Sequence, residues 1–437
     1  MKNDNKISPY LIFDPDICTG CAACVKACPT KAIRIKNDKS IRTVDYCITC
    51  GECVRICPHS ALSSDIFDMN QIGNGQISVA IVSPVLYSQF PEMLPEEILT
   101  GLKKIGFDHT IDLSRYTELF QYATDEFIKR NKISNELPTP LISPICPVII
   151  RLIMVRFPNL LDQVIPLKRP VELIELEIKQ QLSDRFGVKK DLINLCNITP
   201  CPSQKVSTHM MKLSNIDSSV GINKIYRKLS QELEKMEEND TTSLHESYES
   251  ARGPMWGMSG GEIAGLRTEN TFAVSGLNET ITYLEKIELG LFQDIDYIEF
   301  RCCPEGCIGG PLTVTDKYLA KNTVHKLVER FGIGRRLSQE KALRIYEKGF
   351  FFSETKPSEL TRIFGIHKDP LSIELLKKME KLLDIIQGKD CSVCGAPDCR
   401  TFAEDVVRGK ASIDDCIILK YRDADTDEQI KALSLKS

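Results

Sequence analysis

Cysteine spacing is the feature that most constrains how this chain of 437 residues can fold. The run C-x2-C-x2-C-x3-C-P occurs from Cys18 to Cys28 and is repeated from Cys47 to Cys57. Further cysteines follow in a dispersed middle group and in a C-terminal group that has the spacing C-x2-C-x4-C-x16-C. Thiolates at such short intervals are typical metal ligands, so we expect bound metal to organise several parts of the fold.

The duplicated run resembles the two-cluster bacterial ferredoxins, whose signature it repeats. Three closely spaced thiolates hold one corner of a cubane, and the cysteine before proline ligates the other cluster. On that rule, one [4Fe–4S] cluster is held by Cys18, Cys21, Cys24 and Cys57, and the other by Cys47, Cys50, Cys53 and Cys28. A pair of zinc sites is the alternative, but zinc usually takes two C-x2–4-C pairs per ion.

Composition excludes several classes of function. Hydrophobic residues make up 42% of the chain and charged residues 27%, which is typical of a soluble globular protein. The formal net charge of -4 gives no reason to expect binding to nucleic acid. The N-terminus lacks the apolar core of a signal peptide, and the longest apolar stretch, residues 141–155, is too short to span a bilayer. Because free thiolates need a reducing compartment, we expect a cytoplasmic protein without membrane insertion.

The chain is expected to form three domains: a two-cluster ferredoxin domain of α+β type at 1–70, an α/β domain at 71–370, and a small helical cluster domain at 371–437. In the middle domain, strand candidates alternate with helical segments, which predicts a partly parallel sheet. The strand candidates 192–200 and 297–303 each end at a cysteine motif, where open α/β sheets usually hold their ligands.

Three motifs of the middle domain, SPICPVI, TPCPSQK and CCPEGCIGGPL, resemble in sequence and order the active-site motifs of [FeFe]-hydrogenases. The resemblance covers residues 77–350 and includes the glycine-rich segment RGPMWGMSGGE. It implies a hydrogenase-like fold and an H-cluster, a [4Fe–4S] cluster bridged to a di-iron centre that carries CO and cyanide. The implied ligands are Cys146, Cys201, Cys303 and the bridging Cys307, and the implied cofactor-binding glycines are Gly260, Gly261, Gly309 and Gly310. Four buried structural cysteines are the alternative, which the motif order disfavours.

Three positions depart from the family pattern. Hydrogen-producing members carry a proton-relaying cysteine where this chain has Ile145, and an alkyl side chain cannot shuttle a proton. A lysine that bonds a cyanide is replaced by Gln204, with Lys205 beside it, and a neutral donor binds more weakly than a charged one. A methionine that packs on the di-iron centre is replaced by Arg301. We therefore expect Cys307 and these polar residues to define the chemistry of the site.

These departures resemble the divergent, sensory members of the family, which carry an extra C-terminal cluster domain. The resemblance implies a slow hydrogenase, or a sensor of H2 or redox state, that acts on H2 and protons and signals to a partner protein. Two alternatives stay open: an active hydrogenase with a different proton path, and an electron carrier without the di-iron centre. The sequence does not define the oligomeric state.

The C-terminal group resembles the small four-cysteine iron–sulfur domain of corrinoid proteins and of the divergent hydrogenase-like group. Its implied [4Fe–4S] ligands are Cys391, Cys394, Cys399 and Cys416. Zinc is the alternative, because this spacing is less distinctive than the ferredoxin triplets. Cys196 and Cys302 are left over and are predicted to be buried thiols, and Asp398 is predicted to be a solvated or capping residue.

Overall fold

The computed structural model describes residues 6–8, 11–36, 39–42, 47–64, 77–205, 216–236, 251–334, 337–355, 357–363, 371–386 and 388–421. The chain forms two compact units. The first combines Met1–Asp65 with Gly365–Ser437, and the second comprises Ile66–Phe364. All eighteen cysteines lie in the described residues, and none of them forms a disulfide.

In the residues that the structure describes, the N-terminal part of the first unit contains five short strands. They are β1 (Lys6–Ser8), β2 (Leu11–Phe13), β3 (Ile33–Lys36), β4 (Lys39–Arg42) and β5 (Leu62–Ser64). The strands β1, β2 and β5 form an antiparallel sheet in that order, and β3 pairs with β4 as a hairpin. Two single-turn helices, Ala23–Ala27 and Glu52–Ile56, each carry one cysteine of one copy of the repeated motif.

The C-terminal part of the first unit is helical. The helices Ile373–Ile386 and Cys399–Val407 pack around a small core that includes Leu382, Phe402 and Ile413. Asp398 accepts a hydrogen bond from the backbone N–H of Thr401 at 2.7 Å and so caps the second helix. The predicted capping role of Asp398 agrees with this geometry.

The second unit is built on two parallel sheets. Its strands are β6 (Ile77–Val82), β7 (His109–Asp112), β8 (Leu141–Ile142), β9 (Ile193–Thr199), β10 (Ser218–Gly221), β11 (Thr271–Ser275) and β12 (Tyr297–Arg301). The first sheet has the order β10-β9-β6-β7, and the second has the order β11-β12-β8. Every strand pair in both sheets is parallel, so the predicted α/β fold is confirmed.

Helices cover both faces of the larger sheet. In β6, Ala80 and Val82 belong to one hydrophobic core, whereas Val79 and Ile81 belong to the other. A strand that is buried on both faces needs an almost continuous apolar sequence, which explains the run ISVAIV. Helices of this unit whose bounds lie in the described residues are Pro95–Lys104, Ser114–Ser134, Pro147–Arg156, Pro170–Phe186, Ile222–Leu233, Arg252–Trp256, Leu277–Glu288, Lys317–Phe331, Gln339–Glu347 and Leu360–Ile363, and residues 202–205 are helical as well. Within the described residues, no helix has the length and apolar character needed to cross a membrane.

Candidate metal centres

The eight N-terminal cysteines line two separate pockets. One pocket is lined by Cys18, Cys21, Cys24 and Cys57, together with Ile35 and His59. The other is lined by Cys28, Cys47, Cys50 and Cys53, together with Ile48 and Thr49. Each pocket therefore takes one cysteine from the opposite copy of the motif. The structure brings together the two sets that the motif rule predicts, and ligation itself stays a prediction.

Local backbone geometry wraps each motif around its pocket. Gly20 and Gly51 have φ angles of +71° and +82°, and Ala22 adopts a left-handed conformation with φ +61° before the first helix. The backbone N–H of Ala32 donates to Cys28 Sγ at 3.2 Å, and hydrogen bonds to sulfur tune the potentials of iron–sulfur clusters. Burial raises the pKa of the Cys50 thiol well above its usual range. A thiolate in such a place needs a cation beside it, and cluster iron would supply one.

The four C-terminal cysteines also share one neighbourhood. Cys394, Cys399 and Cys416 border the same hydrophobic core. Burial, together with the charges of Cys416, Cys391 and Cys399, raises the pKa of Cys394 to about 11. The backbone N–H of Asp390 donates to Cys399 Sγ at 3.3 Å. In the described parts of the chain, no three His, Cys, Asp or Glu side chains converge on the position of a single metal ion.

The middle cysteines lie at the carboxyl ends of three parallel strands. Cys146 follows β8 and begins the helix Pro147–Arg156, Cys201 follows β9, and Cys303 follows β12. Burial raises the pKa of Cys201 well above its usual range, and the negative charges of Cys303, Cys146 and Cys307 raise it further. Four thiols that influence one another in a buried place fit a metal cluster, because metal binding displaces their protons.

Glycines allow the loops of the middle site to approach closely. A Cβ atom at Gly310 would lie 2.5 Å from the carbonyl oxygen of Pro200, next to Cys201. A Cβ at Gly306, whose φ is +89°, would lie 2.5 Å from the backbone nitrogen of Ser259. The third motif therefore packs directly on the second motif and on the glycine-rich segment.

The four glycines predicted to bind the cofactor differ in their surroundings. A Cβ at Gly261 would lie 1.8 Å from the carbonyl oxygen of Met255, and one at Gly309 would lie 2.2 Å from that of Pro304. Gly260 instead has φ +83°, and a Cβ there would make only an ordinary contact, at 3.9 Å, with the Cβ of Ala273. Close backbone packing accounts for Gly261, Gly309 and Gly310, and cofactor contact by any of the four stays a prediction.

Gln204 and Lys205 lie in the helical residues 202–205, directly after Cys201. The Oε1 atom of Gln204 accepts a hydrogen bond from Thr199 Oγ1 at 2.5 Å. Burial raises the pKa of Cys196 to about 12, whereas a hydrogen bond from Ser218 and the charge of Lys205 lower it. The positive charge of Lys205 therefore lowers the pKa of Cys196. Both Cys196 and Cys302 are buried, as predicted.

Arg301 is held rigidly beside the middle cysteines. Its side chain is 1% exposed, its Nε donates to Glu299 Oε1 at 2.9 Å, and its Nη2 donates to Glu262 Oε2 at 2.9 Å. The guanidinium also lies 5.3 Å from the centre of the Trp256 ring, in a cation–π arrangement. Burial raises the pKa of Cys307 to about 12, and the Arg301 charge opposes that rise. Arg301 thus supplies a fixed positive charge next to Cys307.

Two carboxylates that hold Arg301 were missed by the sequence analysis. Glu299 accepts hydrogen bonds from the backbone N–H groups of Gly260, Glu262 and Ile263 at 3.1–3.3 Å. Glu262 also accepts from Tyr297 and, at 3.1 Å, from Ser143 Oγ. Burial raises the pKa of Glu262 to about 7, and the Arg301 charge opposes the rise. A signal was present in YIEFR, since Glu299 and Arg301 are two residues apart on an otherwise apolar strand and share one face.

Arg151 was also missed, although it stands in a conspicuously apolar helix. Its side chain is 3% exposed, and its Nη1 donates to Ser203 Oγ at 3.4 Å. Because Arg151 follows Cys146 by five residues and Ser203 follows Cys201 by two, this bond ties the first motif to the second.

Ile145 packs in the protein core. It is 6% exposed and shares a hydrophobic cluster with Trp256 and Phe120. Its backbone N–H donates to Ser143 Oγ at 3.3 Å. The position beside Cys146 therefore holds a packed alkyl group, in a loop that also contacts Glu262 through Ser143.

The fold and these cysteine groups together define a multi-domain iron–sulfur protein with a hydrogenase-type α/β unit. The chain belongs to the family described as iron only hydrogenase large subunit, C-terminal domain, whose sequence model matches residues 76–311. A 4Fe-4S dicluster domain matches residues 10–58, and an Fe-S cluster domain matches residues 386–418. The resemblance found in the sequence is thereby confirmed at the level of the family.

Two curated relatives and two solved structures are similar to this chain. The NADP-reducing hydrogenase subunit HndD of Solidesulfovibrio fructosivorans is 24% identical over 392 residues, which cover 76% of this chain and 63% of that protein. Iron hydrogenase 1 of Clostridium pasteurianum is 25% identical over 198 residues, 43% of this chain and 34% of that protein. The aligned part of the chain thus spans less than two thirds of the length of each of these relatives.

The solved structures support the fold alone. The [FeFe]-hydrogenase HydA(deltaEFG), whose structure concerns stepwise H-cluster assembly, has a TM-score of 0.51 and 14% identity, covering 67% of this chain and 95% of that one. A variant of HydA1 from Chlamydomonas reinhardtii has a TM-score of 0.50 and 14% identity, covering 65% of this chain and 92% of that one.

Proposed function

We propose that this protein binds an H-cluster on Cys146, Cys201, Cys303 and the bridging Cys307, and that three further [4Fe–4S] clusters occupy the outer cysteine sets. It acts on H2 and protons slowly, and it serves as a sensor of H2 or redox state that signals to a partner protein. The eighteen free cysteines favour a reducing compartment such as the cytoplasm.

The observation that carries this proposal is the packing of Ile145 beside Cys146. General acid–base transfer needs a titratable group within hydrogen-bond reach of the reacting atom, and an alkyl side chain offers none. Ile145 is packed in the core and occupies the sequence position at which the resemblance implies a proton-relaying thiol. Slow turnover with retained cofactor ligands is what a sensor requires.

The H-cluster, when bound, would supply the iron site at which H2 is cleaved or formed. The residues of the chain would supply the charges and hydrogen bonds around that iron site. Arg301 holds positive charge beside the bridging Cys307, Glu262 and Glu299 fix its guanidinium, and the backbone of Gln204 hydrogen-bonds to Cys201. Such charges and hydrogen bonds around metal ligands tune potential and proton access.

The test uses the full chain matured with the di-iron centre. Infrared spectra should contain CO and cyanide bands. Enzymes typically turn over at about 1–10³ per second, and the rate of H2 evolution from a reduced dye should be lower than this by about tenfold or more. The Ile145→Cys variant should evolve H2 faster. Ile153→Cys, at a buried isoleucine on the helix Pro147–Arg156 that follows this loop, is the matched control and should not.

Other results would favour the alternatives. Rates typical of enzymes that Ile145→Cys leaves unchanged would indicate a hydrogenase with a different proton path. Missing CO and cyanide bands, with about sixteen rather than about eighteen irons per chain, would indicate an electron carrier with four cubane clusters only. Either result would overturn the proposal of a sensor with an H-cluster.

A further inference from the structure

The C-terminal cysteine domain is docked on the ferredoxin part of the same compact unit. Arg34 on β3 donates from Nε to Asp405 Oδ2 at 2.5 Å and from Nη2 to Oδ1 at 3.3 Å. The two side chains are 15% and 14% exposed, so this bidentate pair is largely shielded from water. Paired bonds of this kind fix orientation as well as proximity.

A backbone contact stands beside the ion pair. The N–H of Ile35 donates to the carbonyl oxygen of Gly395 at 3.0 Å. Gly395 has φ +81°, and a Cβ atom there would lie 2.1 Å from the carbonyl oxygen of Ile35. Only glycine permits this approach, because any side chain would overlap the β3 backbone.

The contact joins two of the candidate cluster sites. Gly395 directly follows Cys394, and Ile35 lines the pocket formed by Cys18, Cys21, Cys24 and Cys57. One peptide unit and one hydrogen bond therefore separate a C-terminal ligand from a residue that lines the first ferredoxin pocket. Another contact, between Lys31 and Asp398 at 2.5 Å, leads toward Cys28 of the second pocket through a lysine that is half exposed.

We propose that the C-terminal cluster exchanges electrons directly with the cluster at Cys18, Cys21, Cys24 and Cys57, through the contact of Gly395 with Ile35. The proposal rests on the cluster ligation proposed above. One electron leaves the reduced C-terminal cluster, which passes from [4Fe–4S]1+ to [4Fe–4S]2+. The ferredoxin cluster takes up that electron and passes from [4Fe–4S]2+ to [4Fe–4S]1+. No proton or ligand moves. The electron comes from an external one-electron reductant such as the SO2 radical anion that dithionite releases. The outer clusters thus form a single three-cluster relay.

The test is electron paramagnetic resonance of the full chain reduced with dithionite. Neighbouring reduced clusters broaden and split each other's signals, so the C-terminal cluster should show magnetic coupling. Arg34→Glu should lose that coupling, and the exchanged pair Arg34→Glu with Asp405→Arg should regain it. Arg156→Glu, which breaks the exposed pair of Arg156 with Glu285 in the other unit, is the control and should keep it.

The partner cluster is identified by removing each ferredoxin cluster in turn. Cys21→Ser should leave the C-terminal signal uncoupled, whereas Cys50→Ser should leave it coupled. Coupling that survives Arg34→Glu, or that disappears only with Cys50→Ser, would overturn the proposed pathway. Should either cysteine variant fail to assemble the unit, the charge exchange decides alone.

The two proposals can fail separately. An unmodified protein without any C-terminal cluster signal would contradict the cluster ligation under the proposed function. Three full signals without coupling would contradict the relay only.

Discussion

Arg301, Glu262 and Glu299 form a group of charges with almost no access to water, and they are the residues that most distinguish the middle site. Moving a charge out of water costs several kcal/mol, so each of these charges persists only because the others compensate it. Two carboxylates share one guanidinium, and backbone N–H groups supplement the bonds to Glu299. The group therefore fixes both the position and the charge of Arg301 next to Cys307.

Replacing Arg301 tests this compensation. Arg301→Met restores an apolar side chain but leaves two buried carboxylates without their cation, so we expect the second unit to lose roughly 3–5 kcal/mol of stability. Urea denaturation of the apo protein measures the change. Arg156→Met, at an exposed ion pair, should cost about 1 kcal/mol or less, and equal losses in the two variants would contradict the role of burial.

Glu262 makes stability depend on pH. Its pKa is raised from 4.5 to about 7 in the folded protein, so the folded state binds more protons than the unfolded state between those values. Stability should therefore fall as pH rises through this window, by at most about 3 kcal/mol at 1.36 kcal/mol per pKa unit. Glu262→Gln should flatten the pH dependence of the denaturation midpoint. Glu285→Gln, at an exposed site, should not, and identical curves for all three proteins would contradict the assignment.

Sequence spacing was sufficient for the residues whose partners are close along the chain. The cysteine triplets and the replacement at Ile145 are visible in short motifs, because a motif carries its own geometry. The group around Arg301 was not predictable in the same way, because Glu262 lies 39 residues from Arg301 and reaches it only through the packing of a loop on β12. Long-range polar contacts leave no periodic signal in a sequence.

At the level of elements, three parallel strand ends and the loops after them build the middle site. The strands β8 and β12 are neighbours in one sheet, whereas β9 belongs to the other sheet. The order of the strands in the sheets could not be predicted from the sequence, although the strands themselves were predicted from their β-branched runs. The apolar stretch 141–155 divides into β8 and the helix Pro147–Arg156, a division that an apolar run without a clear period does not reveal.

Close loop packing makes Gly310 a sensitive position. Gly310→Ala would place a methyl group 2.5 Å from the carbonyl oxygen of Pro200, so the loops carrying Cys201 and Cys307 must separate. We expect a destabilisation of about 1–3 kcal/mol and loss of iron from the middle site, with the outer clusters retained. Iron analysis and electron paramagnetic resonance measure these effects. Gly334→Ala is the control, because a Cβ there meets no atom within 4 Å, and iron loss in both variants would contradict the steric explanation.

At the level of the whole molecule, the two compact units have different sources of stability. Among the described residues, the second unit has two large hydrophobic cores, and the first has two small cores that include or contact several of its cysteines. Small cores rarely stabilise a domain alone, and bound metal commonly supplies the additional free energy of folding. The domain boundaries expected from the sequence, 1–70, 71–370 and 371–437, left open whether the two ends of the chain pack together, because spacing along a chain does not show which domains are in contact.

Removal of iron should therefore affect the units unequally. We expect chelation to abolish the cooperative unfolding transition of the first unit and to leave that of the second unit in place. Differential scanning calorimetry before and after chelation measures both transitions. A protein whose entire heat absorption survives chelation unchanged would contradict a metal-dependent first unit.

The ion pair between Arg34 and Asp405 joins residues that are 371 positions apart. During translation at about 5–20 residues per second, the ferredoxin segment leaves the ribosome long before its docking partner exists. The first cluster sites can thus fill on a nascent chain, but the third must be joined to them after the hydrogenase-type unit has been made. A ribosome that stalls within that unit would release a protein with ferredoxin clusters and no C-terminal contact to them. The contact between the ferredoxin part and the C-terminal part therefore forms only on chains whose synthesis has passed Asp405.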